Sequence, residues 1–164
     1  MDNNFRKIDI DAYDDDLLTE QELYDQDHRS PEQILNEAQS KTTQARSYLT
    51  RGDISSALKL LLKDPPYGTS SNSNDLLEQA KSLTLSSIIE ILSSTKTSEI
   101  SSILKTFDNE RESQSEWLMK YLYKAMASLS DQNNYAVLLN WHEKLTEVAG
   151  TGCIVRVMTD RKRV

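Results

Sequence analysis

Two histidines, one cysteine, a run of three aspartates and a short glycine pair are the residues here whose types could do chemistry. Catalysis needs a nucleophile, an acid–base group or a metal, held in a pocket by rigid surroundings. His28 lies among acids near the N-terminus, where no apolar pattern supplies a rigid neighbour. His142 shares a helical face with Leu138, Leu139 and Leu145 and reads as a buried or half-buried histidine with one local partner. Trp141-His142-Glu143-Lys144 combines catalytic residue types, but four consecutive helical positions point in four directions and cannot converge. Gly150-Thr151-Gly152 follows a helix rather than a strand and lacks the third glycine of a dinucleotide loop. Asp14-Asp15-Asp16 lacks the spacing and the glycine of a calcium loop. Cys153 alone makes neither an internal disulfide nor a structural zinc site, and reads as a small apolar side chain. The expectation is a protein with no catalytic residues, no cofactor, no metal and no small-molecule substrate.

The elements that would position any site are helices. With 4 Gly and 3 Pro in 164 residues, tight turns are too few for a multi-stranded sheet. The fold class expected is all-α: a compact array of about six to seven antiparallel helices. Ser30-Pro31-Glu32-Gln33 is a capping box with proline at the first helical position, and it opens a helix that runs to about Arg51, where Gly52 can turn left-handed. Asp53 caps a second helix with Ile54, Ala57, Leu58, Leu61 and Leu62 on one stripe, and Asp64-Pro65-Pro66 stops it. A third helix spans about Asp75 to Ser94, and a short fourth follows Thr97. The fifth has the cleanest pattern: Leu118, Tyr121, Leu122, Ala125, Met126 and Leu129 recur at i, i+3, i+4, i+7, i+8 and i+11. A sixth runs from about Asp131 to Ala149 with Tyr135, Leu138, Leu139, His142 and Leu145 on its face and Trp141 set off from it. For residues 151–164, Ile154, Val157 and Met158 predict a helix, although Val155 and Val157 also fit a short strand.

Charge divides the chain in two. Residues 1–28 carry ten acids and two bases, net −8, while the rest is net +1. The expected organisation is therefore an extended acidic arm over residues 1–29 and a helical body over 30–164. An acidic arm repels phosphate backbones, which argues against nucleic acid as a partner. The N-terminal residues lack the apolar stretch of a secretory signal, and no run of about 18 apolar residues exists to span a bilayer, so no membrane role and a cytoplasmic location are expected. Phe5, Ile8, Ile10 and Tyr13 punctuate the arm. Composition alone fits a solvated tail, whereas the spaced hydrophobes fit an arm that orders on a partner. On the fifth helix, Trp117, Lys120, Tyr123 and Lys124 occupy the face opposite the apolar stripe, the composition of an interface rather than of a solvated surface.

Four blocks carry a resemblance: Phe5-Arg6-Lys7-Ile8-Asp9-Ile10-Asp11-Ala12-Tyr13-Asp14; Ala57 through Lys63-Asp64-Pro65-Pro66; Leu118-Met119-Lys120-Tyr121-Leu122-Tyr123-Lys124; and Trp141-His142-Glu143-Lys144 with Gly152 through Val164. In this order and spacing the chain resembles the subunit 5 family of the actin-related protein 2/3 complex, and its Ser/Asn-rich loop looks like that of a fungal member. The resemblance implies a non-catalytic helical subunit of a complex that nucleates branched actin filaments. It implies body contacts with the propeller subunit 1 and with subunit 4, an arm that tethers the actin-related protein 2 subunit, and residence in the actin cytoskeleton, at cortical actin patches in a fungus. The partner-binding candidates are Phe5, Arg6, Ile8, Ile10 and Tyr13 in the arm and Trp117, Lys120, Tyr123, Lys124, Trp141, Arg156 and Arg161 in the body. A free-standing helical adaptor outside any fixed complex is the alternative.

Overall fold

The computed structural model describes residues 20–69, 75–107, 114–128 and 132–164, and the regular structure among them is all helix. A single turn, α1 (Glu20–Leu23), precedes seven longer helices: α2 (Pro31–Thr50), α3 (Ile54–Leu62), α4 (Leu76–Ser94), α5 (Thr97–Lys105), α6 (Gln114–Ser128), α7 (Gln132–Ala149) and α8 (Gly152–Thr159). The expected capping box is present: Gln33 N–H donates to Ser30 Oγ at 3.3 Å, and Ser30 N–H donates back to Gln33 Oε1 at 3.2 Å. Gly52 ends α2 at φ +79°, and Asp53 Oδ1 accepts from Ser56 N–H at 3.1 Å to start α3. Residues 152–159 are helical, which resolves the reading of the C-terminal region in favour of helix.

The helices pack by face rather than by order in the chain. α2 lies against both α3 and α4, α5 against α7, and α6 against α3, α4, α7 and α8. The main core joins Leu58, Leu61, Ile88, Leu92, Leu104, Phe107, Leu118, Leu122, Leu138 and Leu145, and a smaller cluster of Ile34, Ala38, Leu77 and Ala80 seals the α2–α4 contact. Between those helices, Thr42 and Ser87 hydroxyls meet at 3.1 Å, so this buried polar pair satisfies itself. The stripe expected on α7 needs correction. Leu139 is 57% exposed, and the buried positions are Leu138, Trp141 and Leu145. That i, i+3, i+7 row faces the core because α7 is packed between α5, α6 and α4, a neighbourhood that periodicity within one helix does not encode.

Lys81 is buried on α4, its ammonium donating to the Gly68 carbonyl at 2.5 Å. Burial pushes its pKa down to about 8, helped by the like charges of Lys124 and Arg163 and opposed by Glu78. In the unfolded chain this lysine keeps its proton up to the ordinary lysine range. Between the two values the unfolded state binds more protons, so stability from this group rises with pH there. Urea unfolding of wild type and Lys81→Met should therefore converge or cross in favour of wild type by on the order of 2 kcal/mol between about pH 7 and pH 10. A difference that stays flat with pH would mean the ammonium is solvated.

Candidate functional site

The C-terminal residues form the centre of a clamp. Asp25 N–H donates to the Arg161 carbonyl at 3.1 Å, and Gly68 N–H donates to the Arg163 carbonyl at 2.9 Å. The stretch 160–164 thus runs between the segment after α1 and the loop after α3, and Val164 enters the core, 7% exposed. Gly68 is required at this crossing. Its φ is +114°, and a β-carbon there would meet Gln26 Oε1 at 3.0 Å. Gln26 in turn bonds Thr69 twice, from Nε2 to Oγ1 at 2.6 Å and from Thr69 N–H to Oε1 at 3.1 Å. Arg29 closes the other end, donating to Asp27, to Glu37 at 2.6 Å and to the Pro65 carbonyl at 3.3 Å. Burial opposes ionisation of Asp27, but its hydrogen bonds from Arg29 outweigh this and hold the carboxyl below the usual range; the same bonds raise Arg29. The last residues of the expected arm, 22–29, are in this way fastened to the body. Residues 1–19, with Phe5, Arg6, Ile8, Ile10 and Tyr13, lie outside the described residues.

An open cleft of about 600 Å³ lies beside the clamp, lined by Asp27, Arg29, Tyr67, Trp117, Lys120 and Lys162 among others. Its aromatic wall is a tilted pair, Tyr67 and Trp117, with ring centroids 6.3 Å apart. Lys120 Nζ sits 4.4 Å from the Trp117 ring centre, and Lys162 Nζ sits 5.2 Å from Tyr67 and 6.0 Å from Trp117. Among the described residues, no three His, Cys, Asp or Glu side chains are grouped to hold a metal ion. A tilted aromatic pair beneath fixed cations, in a cleft also lined by His28 and the carboxylates of Asp27, Glu37, Asp64, Glu116 and Asp160, has the mixed aromatic and charged character that suits docking of a polypeptide.

The structure divides the body candidates. Trp117 is half-buried in the cleft, Tyr123 is 38% exposed, and Lys124 is partly exposed beside it. Tyr123 pairs edge-on with His142, its hydroxyl 3.1 Å from Nε2, so His142 has the single local partner expected. Two placements are corrected. Trp141 is fully buried, and its indole N–H donates to the Leu92 carbonyl at 3.3 Å, at the end of α4. It cannot present a face to a partner. Lys120, expected to point outward, is buried: its ammonium is paired with Asp160 and donates to the Lys162 carbonyl at 2.8 Å. A long lysine stem can lie over Trp117 while its head reaches a carboxylate, so its charge says little about its burial. Arg156 stands on exposed α8, paired with Glu116 of α6. Arg161 is directed to its own chain, donating to the carbonyls of Glu22 and Leu23 and lying 3.7 Å from Asp25. Cys153 is buried with its thiol toward the Ser115 carbonyl at 3.7 Å, and burial pushes its pKa up. Sequence reasoning missed Asp160, Tyr67 and the Asp27–Arg29 pair. Asp160 and Tyr67 meet Lys120 and Trp117 across 40 or more positions, and the Asp27–Arg29 pair, though local, gains its role by reaching Pro65, so no local pattern marks them.

The described residues form an all-helical protein whose segment after α1 is fastened to its C-terminal stretch. The chain belongs to the ARP2/3 complex 16 kDa subunit (p16-Arc) family, whose model matches residues 4–164. It is 36% identical to the actin-related protein 2/3 complex subunit 5-C of Xenopus laevis over 160 residues, covering 98% of this chain and 94% of that one. It is 34% identical to the actin-related protein 2/3 complex subunit 5 of Saccharomyces cerevisiae over 174 residues, covering the whole of both. The human subunit 5-like protein is 29% identical over 170 residues, covering all of this chain and 97% of that one.

Proposed function

We propose that this chain is a structural subunit of the actin-related protein 2/3 complex of the cytoplasmic actin cytoskeleton, at cortical actin patches in a fungal cell. Its body docks on neighbouring subunits, and its N-terminal arm tethers the actin-related protein 2 subunit during nucleation of branched filaments. The observation that carries this reading is end-to-end similarity, arm included, to proteins whose names are those of subunit 5. The clamp around residues 22–29 supports it: a tether needs one fixed end, and Arg29, Gln26 and the C-terminal residues supply one. A tether raises the local concentration of a moving partner without a large rigid interface. Propeller subunit 1 and subunit 4 are the body's partners in this reading, with Trp117, Tyr123, Lys124 and Arg156 as contacts.

Deletion of residues 2–19 keeps the clamp and removes the rest of the arm. In a reconstituted complex this variant should retain its body partners, lose actin-related protein 2 during dilution, and nucleate several-fold more slowly in a pyrene-actin assay. Unchanged retention and unchanged nucleation would refute the tether. Failure of the full chain to co-purify with any complex subunit would refute the whole reading in favour of a free adaptor.

A further inference from the structure

Past the cleft, sharing Lys120, Asp160 and Lys162 with it, runs a second open groove of about 460 Å³. Tyr24, Tyr123 and Val157 give it an apolar wall, and Lys124, Lys162 and Arg163 give it charge. The carboxylate on its rim, Asp160, is already taken by Lys120. Lys124 and Arg163 make no ion pair among the described residues; Arg163 lies 5.4 Å over the Tyr24 ring instead. Buried Lys81 registers both cations as like charges, so the surplus is felt below the surface as well. The groove therefore suits an extended, acidic polypeptide with apolar or aromatic side chains.

Such a polypeptide is attached to its edge. Residues 1–19 carry six acids and two bases together with Phe5, Ile8, Ile10 and Tyr13, and the described chain starts at Glu20, four residues before Tyr24 of the groove wall. We propose that this groove is a berth for the chain's own N-terminal segment, with Asp14-Asp15-Asp16 against Lys124 and Arg163 and the side chains of Ile10 and Tyr13 on the Tyr24–Tyr123 wall. Reach is not limiting: Asp16 is separated from Tyr24 by at most about 28 Å of extended chain. Attachment gives the segment an effective concentration of order millimolar at the groove, so weak contacts suffice. A berth of this kind makes the arm's availability a competition. The protein that captures the arm binds the unassembled subunit more weakly, its affinity scaled down by the fraction of arms left unstowed. This goes beyond the tether reading, does not depend on what captures the arm, and applies to the unassembled subunit, before neighbouring subunits cover Tyr123 and Lys124.

The test is paramagnetic broadening in the full chain. A nitroxide is placed at Ala12→Cys; Cys153 is buried, which directs the label to position 12. At low salt, amide resonances of residues 123–128 and 160–164 should broaden, independently of protein concentration. The broadening should disappear in about 0.5 M salt, where exposed charges are screened within a few ångströms. It should also disappear in Lys124→Glu/Arg163→Glu, checked for an unchanged helical circular dichroism spectrum. Three results overturn the proposal: no broadening at low salt, broadening on a different face, or broadening that survives both salt and charge reversal. Broadening seen only between differently labelled copies would assign the groove to a second molecule, and protection of Lys124 only inside the assembled complex would assign it to a neighbouring subunit. Either also overturns it.

Discussion

Replacing Trp141 by alanine should cost about 3–5 kcal/mol of folding stability, as expected for deleting a large buried aromatic, and should lower the urea midpoint by roughly 2 M. The side chain is completely buried among α4 and α7, and its indole N–H satisfies the Leu92 carbonyl where α4 runs out of internal donors. Two losses coincide in the variant: a cavity the neighbouring helices fill only in part, and a carbonyl left with the Thr95 N–H at 3.4 Å. Trp141→Phe separates them. It keeps most of the volume and should cost only about 1–2 kcal/mol. The measurement is urea unfolding of the purified chain followed by circular dichroism. A docking residue behaves in the opposite way, leaving the midpoint of the free chain unchanged and weakening assembly. That outcome would return Trp141 to the surface.

The second large effect is expected from Asp160→Ala. Asp160 is the carboxylate of the buried Lys120 ammonium, and its loss leaves that charge with the Lys162 carbonyl and the Trp117 ring. Removing one partner of a buried pair costs about 3–5 kcal/mol where both are enclosed, and Asp160 is about one-third exposed, so roughly 2–3 kcal/mol is expected. The damage should be local before it is global. Asp25 and Gly68 amides bond the C-terminal stretch, and their hydrogen exchange should accelerate about tenfold or more, while amides in the middle of α4 change only with global stability. Acid should produce the same effect in wild type. Burial opposes ionisation of Asp160, but the hydrogen bonds and charges of Lys120 and Lys162 prevail and hold its carboxyl below the usual range. The stabilisation is present above the ordinary carboxylate value and is lost as pH falls through the lower folded one. Equal exchange at Asp25 and Gly68 in variant and wild type would show that the pair does not hold the clamp.

These two residues also mark where the sequence stops being readable. The helix starts were legible because Ser30, Pro31, Gln33 and Asp53 act within three or four positions of themselves, and Gly52 acts on its own backbone angle. The α6 stripe was legible for a similar reason: Leu118, Tyr121, Leu122 and Ala125 all face one side. Periodicity, however, describes a helix with one neighbour. α6 has four, so Met119 and Lys120, off the stripe, are buried as well. Trp141 falls inside for the same reason, with α7 enclosed by helices from both sides. The candidate surface was half visible. Trp117, Tyr123 and Lys124 stand out by composition, but Tyr67 and Asp160 join them only through the crossing of distant segments, which leaves no trace in spacing.

The core position of Val164 has a consequence for biosynthesis. Residues 160–164 are synthesised long after residue 25, so the Asp25 amide waits for the Arg161 carbonyl and one buried seat waits for Val164. An early part of the polypeptide is thus completed by a late one. A disturbance around residue 164 would therefore be felt at residues 25 and 68, far away in the sequence.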